Sequence, residues 1–297
     1  MSDSAGRVIV IGDVMTDVIV LPEGPLVRGS DRRAQITQRP GGSGANQAVW
    51  LGSMGTPVSF VARVGARDKP HLEAYLRGFH VDPVLIADPL KPSGILVIIV
   101  DPNGERSFLT DRGANLDLQH SDMPVWLLEE TRYVLVSGYS LFAEKPRHAA
   151  RWMAGEAQSR GIAAGVDAAS VGFVEEVGAD RFLEWTRGFS TLFANADEAV
   201  ALSGSTDLET QMRVLGGNYR QVVVKLGAGG AAVGDAVGVK LKLPAPVVNV
   251  VDTTGAGDAF AAAFVSAELR GVDLETSLRR GIEAGSAAVT KVGGQPD

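Results

Sequence analysis

The sequence predicts an α/β protein in which a mostly parallel sheet lies between two layers of helices. Two observations carry this. Short apolar runs of strand length alternate with longer segments of helical period along most of the 297 residues, and such alternation implies parallel strands joined by crossover helices. Glycine is over-represented, at 36 residues. The glycines cluster after strand-like runs and before helix-like ones, where backbone must approach something closely.

Taken in order, residues 8–11, 58–64, 133–137, 162–166, 191–193 and 222–225 read as buried strands, each too short and too evenly apolar for a surface helix. Helices are expected between them at 45–54, 71–77, 146–160, 180–187 and 197–202, and two consecutive helices at 258–270 and 274–292 close the chain. A second pattern interrupts the first. Residues 17–21, 34–39, 95–100 and 107–110 look like strands with no helix between partners, and residues 101–104 (Asp-Pro-Asn-Gly) signal a turn. These pieces form either a small separate sheet or hairpins on the edge of the main one. No internal repeat or low-complexity linker divides the chain, which reads as one domain over 1–297.

Hydrophobic residues make up 45% and charged residues 21%, the balance of a folded globular protein. The net charge of −7 argues against a nucleic-acid partner, because phosphate backbones attract basic surfaces. Without cysteine there is neither a disulfide nor a thiolate metal site. Residues 1–7 are short and polar, and the apolar run at 8–11 is too brief for a signal-peptide core. The longest branched aliphatic run, 95–100, is far below the ~20 residues of a membrane helix. A cytoplasmic protein with no membrane partner is the expectation.

Chemistry concentrates in residues 252–258, Asp-Thr-Thr-Gly-Ala-Gly-Asp. Residues 247–251 before it are expected as a strand, and an Ala/Phe-rich helix follows. Gly255, Ala256 and Gly257 therefore sit at a helix N-terminus, whose unsatisfied N–H groups and dipole attract an anion. Asp258 on the first turn would repel a simple phosphate, but makes sense as a base that takes the proton of a hydroxyl attacking that phosphate. A dipole-complementing acid is the plainer alternative.

A second glycine cluster, Gly41-Gly42-Ser43-Gly44-Ala45-Asn46-Gln47, also opens a helix. It lacks the Lys-Ser/Thr pair of a Walker A loop and the spacing of a dinucleotide fingerprint. A third, Lys225-Leu226-Gly227-Ala228-Gly229-Gly230, follows a strand, either at a ligand-binding strand end or as a hairpin turn. Asn195 and Glu198 resemble a capping box, and a carboxylate there could also organise Mg²⁺ through water. The four histidines show no metal-ligand spacing.

In this order the motifs resemble the ribokinase-like, or PfkB, carbohydrate kinases. Residues 41–48 look like the N-terminal signature of that family and residues 252–260 like the more specific C-terminal one, with Asn195-x-x-Glu198 and Gly227-x-Gly229-Gly230 between them. The resemblance spans residues 12–296 and implies a three-layer α/β/α ribokinase-like fold with a small β-sheet lid from about 17–39 and 94–110. It implies ATP and Mg²⁺ as cofactors and transfer to a hydroxyl of a sugar-like substrate. Asp258 would be the catalytic base, and the backbone of Gly255, Ala256 and Gly257 the anion hole. Asp17, Gly42, Ser43 and Asn46 would hold the acceptor. Asn195, Lys225, Gly227 and Gly230 would hold the nucleotide, with Glu198 tied to Mg²⁺. Asp252, Thr254 and Gly293 match positions that hold K⁺ in some members. The lid closes over the sugar and often builds a homodimer.

Ser43, Met15 and Tyr139 depart from ribokinase itself and count against ribose. Arg106 and Arg112, in or near the lid, are candidates to meet an acidic group on a substrate. The chain given stops soon after 293–296, so a family-like C-terminal helix is expected to be missing. A nucleoside kinase and a non-catalytic sugar or nucleotide sensor are the competing expectations. A Rossmann-type oxidoreductase would need a fingerprint after the first strand, and residues 11–13 do not supply one.

Overall fold

A computed structural model describes residues 6–101 and 106–296. Seven parallel strands form most of the main sheet: β1 (Arg7–Ile11), β4 (Val58–Gly65), β5 (Val81–Asp88), β8 (Thr131–Ser137), β9 (Ala163–Asp167), β10 (Thr191–Asn195) and β11 (Gln221–Lys225). An antiparallel hairpin, β12 (Ala231–Asp235) and β13 (Gly238–Leu243), completes it. The spatial order is β13-β12-β11-β10-β9-β8-β1-β4-β5.

Both faces are covered, which is why the central strands are largely apolar. Along β1, Val8 and Val10 point into a core shared with α1 (Ser43–Ser53), α2 (Lys69–Gly78), α8 (Ala256–Leu269) and α9 (Leu274–Ala288). Ile9 and Ile11 point the other way, toward α3 (Glu144–Ser159), α4 (Val171–Val177), α5 (Ala179–Trp185), α6 (Ala196–Ser203) and α7 (Leu208–Gly216). The strand period of two thus splits one run between two cores.

The chain leaves β1 for β4 and β5 on one side and returns to β8 on the other. Such a reversal opens a crevice beyond the carboxyl ends of the strands, the usual ligand position in open α/β sheets.

The small pieces form a separate four-stranded sheet in the order β3-β2-β6-β7, so the edge-hairpin alternative does not hold. Its strands are β2 (Met15–Pro22), β3 (Ala34–Gly41), β6 (Gly94–Val100) and β7 (Arg106–Asp111). Most of the turn expected at 101–104 lies outside the described residues.

Three expectations need correction. Residues 247–251 are not a strand: Val247 and Val250 are exposed and, with Val248, flank a cavity, so their apolar character serves that edge rather than a sheet. The last helix ends at Ala288, after which Val251 and Asp252 donate their N–H groups to the Val289 carbonyl and a turn takes over. The strand β5 and the helices α4 and α7 were not expected at all; β5 carries Asp82 and Pro83 and so lacks a continuous apolar run. Among the described residues no helix is long and apolar enough to cross a membrane.

Candidate active site

Two helix N-termini face each other at the carboxyl end of the sheet. The turn before α8 closes at Gly255, whose φ of 72° is left-handed, and a Cβ there would fall 2.3 Å from the Gly294 backbone. The turn before α1 needs Gly42 for the same reason: its φ is 94° and a Cβ would meet the Asp13 carbonyl at 2.7 Å.

The facing turns bring Ser43, Asn46 and Gln47 onto Asp258. Its carboxylate accepts from Ser43 Oγ at 2.6 Å, Asn46 Nδ2 at 3.0 Å and Gln47 Nε2 at 3.2 Å. Burial pushes the Asp258 carboxyl up to about 7, and the negative charge of Asp167 adds to this. The bonds from Ser43 and Asn46, and the charge of Lys225, pull the other way. This carboxyl changes protonation near neutrality, where a general base works best.

Asp258 and Ser43 line a cavity of about 660 Å³, large enough for a nucleotide-sized ligand. Its walls include Asn195, Glu198, Lys225, Gly227, Gly230 and the turn Gly255-Ala256-Gly257. Asn195 caps α6: its Oδ1 accepts from Glu198 N at 2.9 Å, while Glu198 Oε2 accepts from Asn195 N at 2.8 Å. The capping reading and the cavity position therefore hold together.

Burial is the main cause that raises Glu198 to about 7; Lys225 opposes it and Asp167 reinforces it. Lys225 Nζ donates to Asp167 Oδ2 at 2.7 Å, and lies 2.9 Å from where a Gly257 Cβ would be. A side chain at 257 would crowd this ammonium, which glycine leaves beside the turn. Gly230 closes the β11–β12 turn, where a Cβ would meet the Leu243 carbonyl at 1.9 Å.

Asp17, Gly42, Asn46, Asp252, Thr254 and Gly293 do not line this cavity. Asn46 nevertheless touches Asp258 directly. Asp17 lies at the root of the small sheet, buried against Gly41, and its Oδ1 has no hydrogen-bond partner among the described residues. Burial, helped by the charges of Asp13 and Asp252, pushes it up to about 7. Such an orphaned acceptor suits a ligand hydroxyl. Asp252 ties Thr254 and Gly293 together: its oxygens accept from Thr254 N at 2.9 Å and Gly293 N at 3.0 Å.

Arg112 lies just past β7, with Tyr139 and Asp13 beside it. Its guanidinium lies 4.6 Å from the Tyr139 ring centroid and 3.7 Å from Asp13 Oδ2.

Sequence reasoning misses Asp167 and the roles of Gln47 and Gln295. Asp167 leaves one signal, an acid that ends an apolar strand. Gln295 leaves none, because its partners Asn46 and Tyr75 are more than 200 residues away.

The chain is similar to known proteins over nearly its whole length. Residues 5–297 match the family described as "pfkB family carbohydrate kinase". A fructokinase from Klebsiella pneumoniae is 29% identical over 278 residues, covering 88% of this chain and 84% of that one. Among solved structures, the adenosine kinase from Sinorhizobium meliloti superposes with a TM-score of 0.87 at 24% identity, covering 98% and 96% of the two chains. An E. coli protein assigned as a ribokinase II, solved with ATP and Mg²⁺, gives a TM-score of 0.85 at 20% identity over 97% and 94%.

Proposed function

The chain belongs to the pfkB family of carbohydrate kinases, and on that premise we propose that it transfers the γ-phosphoryl group of ATP to a hydroxyl of a sugar or sugar derivative, with Asp258 as general base. One observation carries the reading: Asp258 lines the 660 Å³ cavity beside Lys225 and the turn Gly255-Ala256-Gly257, with its pKa raised to about 7. A group so placed can receive a proton from an acceptor while a phosphoryl group arrives beside it.

ATP would lie along Asn195, Lys225, Gly227 and Gly230, and the acceptor under the small sheet against Asp17 and Asn46. Asp258 takes the hydroxyl proton as the acceptor oxygen bonds to the γ-phosphorus. The bond from that phosphorus to the β–γ bridging oxygen breaks, and ADP leaves. The N–H groups at the start of α8 lie where charge builds on the transferring group, and Lys225 stands beside them. Ala256 N spends part of its capacity on the Thr253 carbonyl at 3.3 Å, so Gly257 and Asp258 supply the freer donors.

The donor set fits Mg²⁺ held mainly by phosphates and water. Among the described residues no group of three or more His, Asp or Glu could cage a metal, and both Glu198 oxygens already accept from Asn195. Glu198 and Asn195 would then hold a hydrated ion through its water shell. When bound, the ion neutralises charge on the β- and γ-phosphates. K⁺ near Asp252, Thr254 and Gly293 is the further expectation, tested by comparing kcat in K⁺ and Na⁺ buffers; equal rates would remove it.

Arg112 at the acceptor end makes sugar acids a necessary part of the acceptor panel, beside neutral sugars and nucleosides. The decisive experiment measures ADP release across that panel for the native protein and for Asp258→Asn. The variant is expected to lose at least ~10²-fold in kcat. Equal turnover of the best acceptor by Asp258→Asn would refute the general-base role. Tight binding with no ADP release from any acceptor would favour a sensor. A preference for nucleosides would move the acceptor class and leave the chemistry in place.

A further inference from the structure

Among the described residues, the segment after α9 carries no helix or strand, yet it touches four separate parts of the molecule. Val292 O accepts from Arg39 Nη1 on β3 at 2.6 Å, and Gly293 N donates to Asp252 Oδ2. Gly294 O accepts from Trp50 Nε1 on α1 at 2.9 Å. Gln295 sits between Tyr75 of α2 and Asn46 of α1: its Nε2 donates to Asn46 Oδ1 at 3.0 Å, and its Oε1 accepts from the Tyr75 hydroxyl.

The polarity of this chain is forced from its inner end. Asp258 as a base is a carboxylate and accepts only. Asn46 must therefore present Nδ2 to it, which leaves Asn46 Oδ1 buried and in need of a donor. Gln295 Nε2 is that donor. The remaining Gln295 Oε1 then needs one, and Tyr75 supplies it. Burial holds the Tyr75 hydroxyl above its usual pKa, so it keeps its proton. Every amide has one allowed orientation: Tyr75 O–H to Gln295, Gln295 N–H to Asn46, Asn46 N–H to Asp258.

We infer that Gln295 is a positioning residue for the base: by fixing the amide of Asn46, it guarantees that a donor rather than an acceptor faces Asp258. The inference rests on the general-base reading of Asp258. A donor at that place favours the ionised carboxylate and offsets part of the penalty from burial and from Asp167. Other charged or titratable groups facing Asp258 are Lys225 from β11, Asp167 from β9 and Tyr139 after β8. Glu198 lies beyond Lys225. None of these is touched by changes at Gln295.

Gln295→Glu is the sharpest test. Nearly the same in shape, it still accepts from Tyr75 but offers no N–H to Asn46. The Asn46 amide is then driven to turn over and present Oδ1 to Asp258, which favours the protonated acid. The acid limb of kcat/KM is expected to move up by about one pH unit or more, with activity recovering at high pH and KM for ATP unchanged. Gln295→Ala should move the limb less, and Tyr75→Phe least.

A purely structural role would lower activity evenly across pH. The carboxyl ¹³C resonance of Asp258, assigned by its loss in Asp258→Asn, should titrate with the same ordering in the protein without substrate. An unmoved limb and an unmoved resonance in folded Gln295→Glu would overturn the inference. If that variant does not fold, the same result in Gln295→Ala and Tyr75→Phe would do so. Should no acceptor be turned over at all, the kinase reading fails on its own, and the resonance alone decides whether the relay exists.

Discussion

Three carboxyl groups at the mouth of the main sheet and four away from it are driven in opposite directions. Asp17, Glu198 and Asp258 are each pushed up to about 7, with burial the largest cause in every case. Outside, Asp88 is lowered to about 2 by the N–H groups of Lys91 and Leu90 and then by Arg63. Asp117 is lowered by Lys145 and Lys91, and Asp207 and Asp273 by the residues they cap, Thr210 and Thr276. The outer acids are there to be ionised and held. The inner ones sit where ionisation is opposed, an arrangement that suits a site whose charges are to be met by ligands.

The two groups act oppositely on stability. A carboxyl with a raised folded pKa contributes stability that is complete below its unfolded pKa and is lost as pH rises through about 7. One with a lowered pKa contributes stability above its unfolded pKa, lost as pH falls toward its folded value, about 2 for Asp88. The molecule should therefore be most stable on the acidic side of neutrality.

The strongest way to break this contrast is Asp258→Asn, which should raise Tm at pH 8 while abolishing most of the activity; a lower Tm would mean the carboxylate is not opposed by its surroundings. Next is Lys225→Met. It leaves Asp167 and Glu198 buried without their cation, and unfolding by urea should show a loss of about 3–5 kcal/mol, the usual cost of removing one partner of a buried pair. The smallest effect is peripheral. Asp273→Ala should trim Tm slightly above about pH 4, where the native Asp273 is ionised and caps α9, and leave kcat unchanged. A flat Tm between pH 4 and 8 for the native protein would remove the contrast altogether.

The outer region was also the harder one to read in the sequence. The strands that carry the site, β1, β8, β10 and β11, are continuous apolar runs and were legible as such, as were the turns before α1 and α8. β5 was not, because Asp82 and Pro83 break its pattern. The run at 247–251 misled for the opposite reason, since a cavity edge and a strand both call for apolar side chains. Within the site, Asp258 and the Asn195–Glu198 pair could be found because chemistry and local capping leave a short-range signature. Asp167 and Gln295 act across long sequence separations, on Lys225 and Asn46, and the only local mark on either is the place of Asp167 at the end of an apolar strand.

The glycines at the two facing turns bear on how such a chain can change over generations. At Gly12, Gly42 and Gly44 an added Cβ would strike backbone at 2.6 to 2.7 Å, so no neighbouring side chain can yield to admit it. At Gly41 it would strike the Asp17 carboxylate at 2.1 Å. Drift at these sites is closed off singly, whatever the acceptor. The small sheet is under no such restraint: Ile36, Phe108 and Leu109 are exposed, and Arg112 enters from a segment beyond the turns. Side-chain change is therefore admitted more readily on the small sheet than at the backbone turn before α1.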